Sequence, residues 1–286
     1  MTKTEQGPAS GERDPFEGLV DEAAPDAAYT REELLGAAKR GFVRIRKDFV
    51  QRYEKPRASV LADLVTGRKE HALDLLLTIH ALQPILDGEP LPIQTWALLL
   101  GDGVTTRTTH AALKTLQDMN LLKVAGRRGT PAITLKRENG DGEPWSNEPL
   151  TDPATRGRGF FTLPFDYWTT GTIDQLPLAG KAMLLVILRD TQDPNGKLTF
   201  TMAHERAQEF YGFSERTAER GYYALRRANL MREHAQLVRA PKHPLGRREE
   251  VHRALLKPYS TDNREALRAA AAAAAAGARS SGGDAT

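Results

Sequence analysis

Two groups of residues, 109 positions apart, carry side chains suited to gripping a polyanion. Thr105, Thr106, Arg107, His110 and Lys114 form the first, and Ser214, Arg216, Arg220 and Tyr223 form the second. Hydroxyl groups and lysine suit phosphate oxygens, while arginine presents a planar fork that can bond guanine through two hydrogen bonds, worth about 1–3 kcal/mol of base discrimination. Each group precedes a basic stretch. Arg127 and Arg128 stand between Gly126 and Gly129, and Lys242, Arg247 and Arg248 stand in PKHPLGRREE. A single exposed arginine is ordinarily a solvated helix charge. Its recurrence at Arg107 and Arg216, each upstream of a basic tip, favours contact with double-stranded DNA. Glu215 and Glu219 would repel phosphate, so the first group has the cleaner DNA face, and the second unit remains open to dimerisation or partner binding.

The elements that must position these groups repeat at the same offset. Residues 106–122 lie over 215–231 without a gap, pairing Arg107 with Arg216, Leu116 with Leu225 and Asn120 with Asn229. Helical spacing predicts a buried face of Thr109, Ala112, Leu113 and Leu116 in one copy and Ala218, Gly221, Tyr222 and Leu225 in the other. Thr105 or Thr106 and Ser214 are placed as N-caps. Asn120 and Asn229 stand where a left-handed residue ends the helix, a conformation asparagine tolerates. Upstream, the pattern predicts first helices over 70–82 and 181–189, short strands over 91–93 and 198–201, and second helices over 94–100 and 202–211. Downstream it predicts hairpins over 121–125 with 132–136 and over 231–238 with 251–256. Asp193 to Gly196 reads as a turn. His80 falls on the apolar face of the first helix and reads as a core or boundary histidine. FVRIRKDF from Phe42 and FTLPFDYW from Phe161 read as extended lead-ins, each packing onto its own domain. Thr30 and Glu33 have the spacing of a capping box for a helix over 30–40.

The expected organisation is therefore an acidic disordered arm over 1–28, one domain over 29–137, a Gly/Pro-rich flexible linker over 138–159, a second domain over 160–258, and an alanine-rich tail over 259–286 that is disordered or partly helical and buries little. Residues 1–36 hold three basic and nine acidic residues, a net charge of −6, which leaves residues 37–286 at about +9. A basic body suits a polyanionic partner; the acidic arm reads first as a solubilising tail and second as a competitor for that surface. The chain has no cysteine, which excludes disulfides, thiolate metal sites and a cysteine nucleophile and suits a reducing cytoplasm. No apolar run approaches the roughly 20 residues of a membrane span, and the polar N-terminus is unlike a signal peptide. The seven histidines are scattered, no phosphate-binding glycine loop occurs, and Tyr222 aligns with core Leu113. The expectation is a binding protein with no catalytic residues, no metal and no cofactor.

Helix, strand, helix, turn, helix, hairpin is the winged-helix order. The second unit, running FFTLPFDYW, LAGKAMLLVILRD, NGKLTF and AHERAQEFYGFSERTAERGYYALRRANLM, resembles the winged-helix modules of bacterial regulators and of plasmid replication initiators. The tandem arrangement is similar to two-domain initiators. The resemblance implies a mostly α fold with small β-hairpin wings, built as two tandem winged-helix domains. It also implies sequence-specific binding of double-stranded DNA in the cytoplasm, serving replication initiation or partition on a plasmid or mobile element. A winged-helix transcriptional repressor and a winged-helix protein adaptor are the alternatives, and a homodimer is left open.

Overall fold

The computed structural model describes residues 22–52, 59–86, 88–146, 159–192 and 198–281. The chain runs α1 (Ala27–Ala38), β1 (Phe42–Arg46), α2 (Val60–Thr66), α3 (Glu70–Leu82), α4 (Ile93–Leu100), α5 (Thr106–Asp118), β2 (Leu122–Arg127) and β3 (Thr130–Leu135). It continues through β4 (Phe160–Pro164), α6 (Asp166–Thr169), α7 (Thr172–Gln175), α8 (Leu178–Asp190), β5 (Phe200–Thr201), α9 (Ala207–Tyr211), α10 (Glu215–Arg227), β6 (Met231–Arg239), β7 (Arg247–Leu255) and α11 (Thr261–Ser281). Helices predominate over small antiparallel sheets, ordered β1-β4, β2-β3 and β5-β7-β6. Among the described residues, no helix is long and apolar enough to cross a membrane.

The best-matched elements are those with local signals. Thr105 Oγ1 accepts from Thr108 N at 3.2 Å, and Ser214 Oγ accepts from Thr217 N at 3.2 Å, so both helices α5 and α10 begin on a hydroxyl cap. Their buried residues are the two predicted sets. Both end alike: Asn120 (φ 57°) and Asn229 (φ 55°) are left-handed. Leu121 N and Leu230 N reach back to Leu116 O and Leu225 O at 3.0 and 2.9 Å. That bond, together with Asn120 N to Gln117 O and Asn229 N to Arg226 O, closes a Schellman turn in each copy and starts β2 and β6 at equivalent positions.

Elsewhere the two copies diverge for identifiable reasons. The strand expected over 91–93 is absent, because Pro90 and Pro92 remove the N–H groups a strand would donate. Ile93 opens α4 instead and bonds Gly129 O at 2.8 Å. In the second copy β5 does form, pairing Phe200 with Arg253 and Thr201 with His252 on β7. This keeps the chain extended through Ala203, so the helix expected over 202–211 is a 3-10 turn, His204–Arg206, followed by α9. At the N-terminus the helix starts at Ala27, not Thr30. Asp26 is its cap, accepting from Tyr29 N at 2.8 Å, and Thr30 is buried inside the helix, its hydroxyl bonded back to Asp26 O at 2.6 Å.

The lead-ins do not pack each onto its own domain. β1 pairs with β4, from Phe42 opposite Pro164 to Arg46 opposite Phe160, and the ribbon joins the two halves of the chain. FTLPFDYW leaves the strand after Pro164 and turns helical, burying Tyr167 and Trp168. Tyr167 Oη then donates to Asp74 Oδ1 at 3.0 Å and Trp168 Nε1 to Thr78 Oγ1 at 2.9 Å, both on α3. On α8, Lys181 Nζ reaches Asp74 Oδ2 and Glu70 Oε1, each at 2.7 Å. Arg31 on α1 donates through Nε to Leu99 O at 2.9 Å and pairs with Asp174 on α7. The buried apolar residues of both halves make one continuous core.

The stretch expected to begin a flexible linker also folds. Lys136 bridges Pro144, Glu138 is fully buried, and Trp145 meets His80 edge-on at 5.9 Å. His80 is a core histidine whose burial depresses its pKa to about 3. The tail, expected to be disordered or partly helical and to bury little, is helical as α11 and is docked by Arg264, which is 1% exposed. Its guanidinium donates to Leu188 O, Thr191 O and Tyr259 O, each at 3.1 Å, and to Gln192 Oε1 at 2.7 Å. Of the arm expected over 1–28, residues 27 and 28 open α1 and residues 1–21 lie outside the described residues, as do 147–158 of the linker, the turn over 193–196 and residues 282–286.

Glu138 gives this packing a pH signature. Its carboxylate accepts from Arg46 N at 3.2 Å and lies 3.4 Å from Arg46 Nε, yet burial outweighs these contacts and pushes it up to about 7. A carboxyl that is more basic folded than unfolded holds its proton in the folded state alone between its ordinary value and about pH 7. Stability therefore falls as pH rises through that window, by up to about 3 kcal/mol at about 1.4 kcal/mol per pKa unit. Glu138→Gln is expected to flatten this part of the profile. Urea midpoints measured from pH 5 to pH 8 with an unchanged slope in the variant would refute the assignment.

Candidate nucleic-acid interface

The α5 face presents the expected groups without bringing all of them together. Thr105, Arg107 and Lys114 are exposed, while Thr106 and His110 are half-buried. Arg107 has no ion-pair or hydrogen-bond partner among the described residues. Lys114 differs: its ammonium is bonded to Asp118 at 2.9 and 3.1 Å, so its charge is locally matched. Arg127 ends β2 and Arg128 sits in the tip, both exposed. The bond from Ile93 N to Gly129 O places that tip beside the start of α4, whereas Arg107 follows the turn at its end. The eight residues of α4, roughly 12 Å of helix at 1.5 Å of rise per residue, thus lie between the anchor of the tip and the turn that leads to Arg107.

In the second copy the fold does gather side chains. Between α10 and the hairpin lies a cleft of about 550 Å³ lined by Arg216, Arg220 and Tyr223, with Glu219 among them. It also holds Arg226 and Arg253, which the sequence reading missed. Arg226 Nη1 and Arg253 Nε both donate to Glu233, each at 2.9 Å, so this carboxylate is engaged twice. Arg253 lies 3.9 Å over the Tyr222 ring and donates to Met202 O at 3.1 Å, a rigid buried cation at the cleft floor. Arg216 and Arg220 have no such partner among the described residues. Tyr222 is core, as its alignment with Leu113 implied, and burial raises its pKa. Tyr223 is 58% exposed.

The remaining candidates stand apart. Ser214 is exposed but its hydroxyl is committed to the cap. Lys242 and Arg247 are exposed near the far end of the β6–β7 hairpin, outside the cleft, and Arg248 turns to Glu250 at 3.6 Å on another face. Arg226 and Arg253 have a signal only in hindsight. Arg226 follows Arg220 by six residues, and Arg253 lies on the return strand opposite Glu233. Strand register, which sequence spacing does not reveal across an unequal loop, is what brings it in. Comparisons of the chain with protein-family models, with curated proteins and with solved structures return no match.

Proposed function

We propose that the chain is a tandem winged-helix protein that binds double-stranded DNA sequence-specifically, with α5 and α10 as the major-groove helices and the β2–β3 and β6–β7 hairpins as wings, in replication initiation or partition on a plasmid or other mobile element. The observation that carries this reading is the equivalence of Arg107 and Arg216. Each is exposed on the first turn of a helix capped by a hydroxyl, and neither has an intramolecular partner among the described residues. Two copies of one arrangement favour a shared ligand. The packing of the two halves around β1–β4 and Lys181 supports a fixed spacing between the readers, in place of the flexible tether expected from the linker. DNA sites should then tolerate little change in half-site separation.

The test is a titration against duplex DNA over a range of salt. Neutralising several phosphates should give a steep inverse dependence of affinity on salt. Arg107→Ala is expected to weaken specific binding by about 1–3 kcal/mol and to relax preference at one base position, leaving binding to random duplex nearly unchanged. Salt-independent binding would remove the phosphate account, and an unaltered footprint would remove Arg107 from the interface. A protein adaptor is the second reading. It is favoured by the second copy alone, where exposed Tyr223, Leu237 and Leu245 accompany Glu215 and Glu219. A transcriptional repressor would share all the DNA chemistry and differ only in where its sites lie, at promoters instead of an origin.

A further inference from the structure

A second concave surface lies away from both proposed reading helices. It is a groove of about 630 Å³ between the β1–β4 ribbon and α11, with Lys39, Arg40, Arg44 and Arg268 on its walls and Phe160 with the alanines 271, 272, 274 and 275 as its apolar side. No carboxylate lines it. Glu265 approaches Arg268 only at 4.0 Å, and Glu138 is buried against Arg46. Arg44 shows the result: its guanidinium is held below the ordinary arginine range first by burial and then by Arg40, Arg268 and Arg46. Cations crowded on a concave surface repel one another, and an anion entering between them removes that repulsion.

The remaining groups narrow the class of anion. Arg44 and Arg46 stack on the Phe160 ring at 4.5 and 4.7 Å, which orients the Arg44 fork in advance. The Gln192 side-chain oxygen accepts from Thr162 N at 2.9 Å and from Arg264 at 2.7 Å, so its NH2 group is the end available to line the groove. Planar forks and an amide donor suit phosphate oxygens. The methyl face of α11 suits an apolar or planar body, and the volume lies within the range of small-molecule sites, roughly 300–1,000 Å³. We propose that this groove binds a phosphorylated ligand of nucleotide size, its phosphates held by Arg40, Arg44 and Arg268 and its organic part seated against Phe160 and the alanine face of α11. Such a ligand could be a free nucleoside polyphosphate or a nucleotide within a single strand of nucleic acid.

The experiment measures binding of ATP, inorganic tripolyphosphate and a ten-nucleotide oligothymidylate to the full chain by calorimetry. Sub-millimolar binding of ATP, weakened at least tenfold by Arg44→Gln and by Arg268→Gln and unchanged by Lys69→Gln at an exposed site before α3, supports the site. Arg40→Gln, in a loop, serves as an independent variant should either of the first two disturb the fold. ATP tighter than the oligonucleotide identifies a free nucleotide, and the reverse identifies a strand. Tripolyphosphate equal to ATP overturns the seat for the organic part. No binding of any probe, or binding indifferent to all three arginine variants, overturns the whole. Duplex binding, measured in parallel, should persist in Arg44→Gln, so this inference and the reading of α5 and α10 can fail separately.

Discussion

Replacing Lys181 with methionine is expected to destabilise the protein by about 3–5 kcal/mol, because the substitution leaves Asp74 buried as an unpaired carboxylate. Lys181 and Asp74 are 3% and 4% exposed and 2.7 Å apart, and among the described residues Tyr167 is the other side chain bonded to Asp74. Burial already raises the Asp74 pKa against the pull of Lys181. Removal of the ammonium would protonate the carboxyl or open the contact between α3 and α8. Asp74→Asn in the same background should recover most of the loss, since a neutral amide needs no counter-charge. Urea unfolding followed by tryptophan fluorescence is the measurement, with Trp168 one contact away through Thr78. A wild-type chain that unfolds in one transition and a Lys181→Met chain that unfolds in two would show that this pair couples the halves. A loss below about 1 kcal/mol, the range of an exposed pair, would mean that the pair is not buried.

Gly221→Ala is the second large effect, and its sign separates local from tertiary control. Alanine in a helix interior is better than glycine by about 1 kcal/mol, so propensity alone predicts a more stable α10. A Cβ at Gly221 would lie 2.3 Å from Met183 Cγ and 2.4 Å from Ala179 O on α8. Met183 Cγ can swing aside, but Met183 Cβ, 2.9 Å away, and the Ala179 carbonyl move only with their helix. Overpacking should outweigh propensity and give a net loss of about 2 kcal/mol in thermal or chemical unfolding. A variant more stable than the parent would place α10 farther from α8. Gly180, with Ala224 Cβ 3.1 Å from its added Cβ, marks the same close approach from the other side. In the first copy the equivalent position is Ala112, so α5 and α3 meet without that constraint. The two copies are alike in helix ends and faces and different in how tightly the third helix is held.

How the halves join bears on any shared ligand. A tether leaves two modules free to search, whereas the β1–β4 ribbon, the Lys181–Asp74 pair and the Arg31–Asp174 pair hold them in one arrangement. Under the proposed DNA reading, rigidity exchanges tolerance of spacing for pre-organisation.

Much of the repeated unit was determined by the sequence itself. The extent of α3, the hydroxyl caps at Thr105 and Ser214, the buried faces of α5 and α10 and the left-handed asparagines all follow from signals within a few residues, where helical period and side-chain capping act. The exposed candidates Arg107, Arg216 and Arg220 could be named in the same way, because a helix with one apolar face leaves the others outward. What only the tertiary structure decided lies across long separations. Alternation marked Phe42 to Phe49 and Phe161 to Trp168 as extended lead-ins but could not say where the strands within them end or that they pair with each other. Nothing local to Lys181 points to Asp74, 107 residues earlier, or ties Arg264 to the end of α8. The Arg253 position in the α10 cleft depends on a hairpin register set by a loop longer than its counterpart in the first copy. The cationic groove likewise needs the ribbon and α11 to meet before its arginines become neighbours. Periodicity and capping act over one or two turns, whereas partner choice is settled by burial of surfaces that only the folded chain brings together.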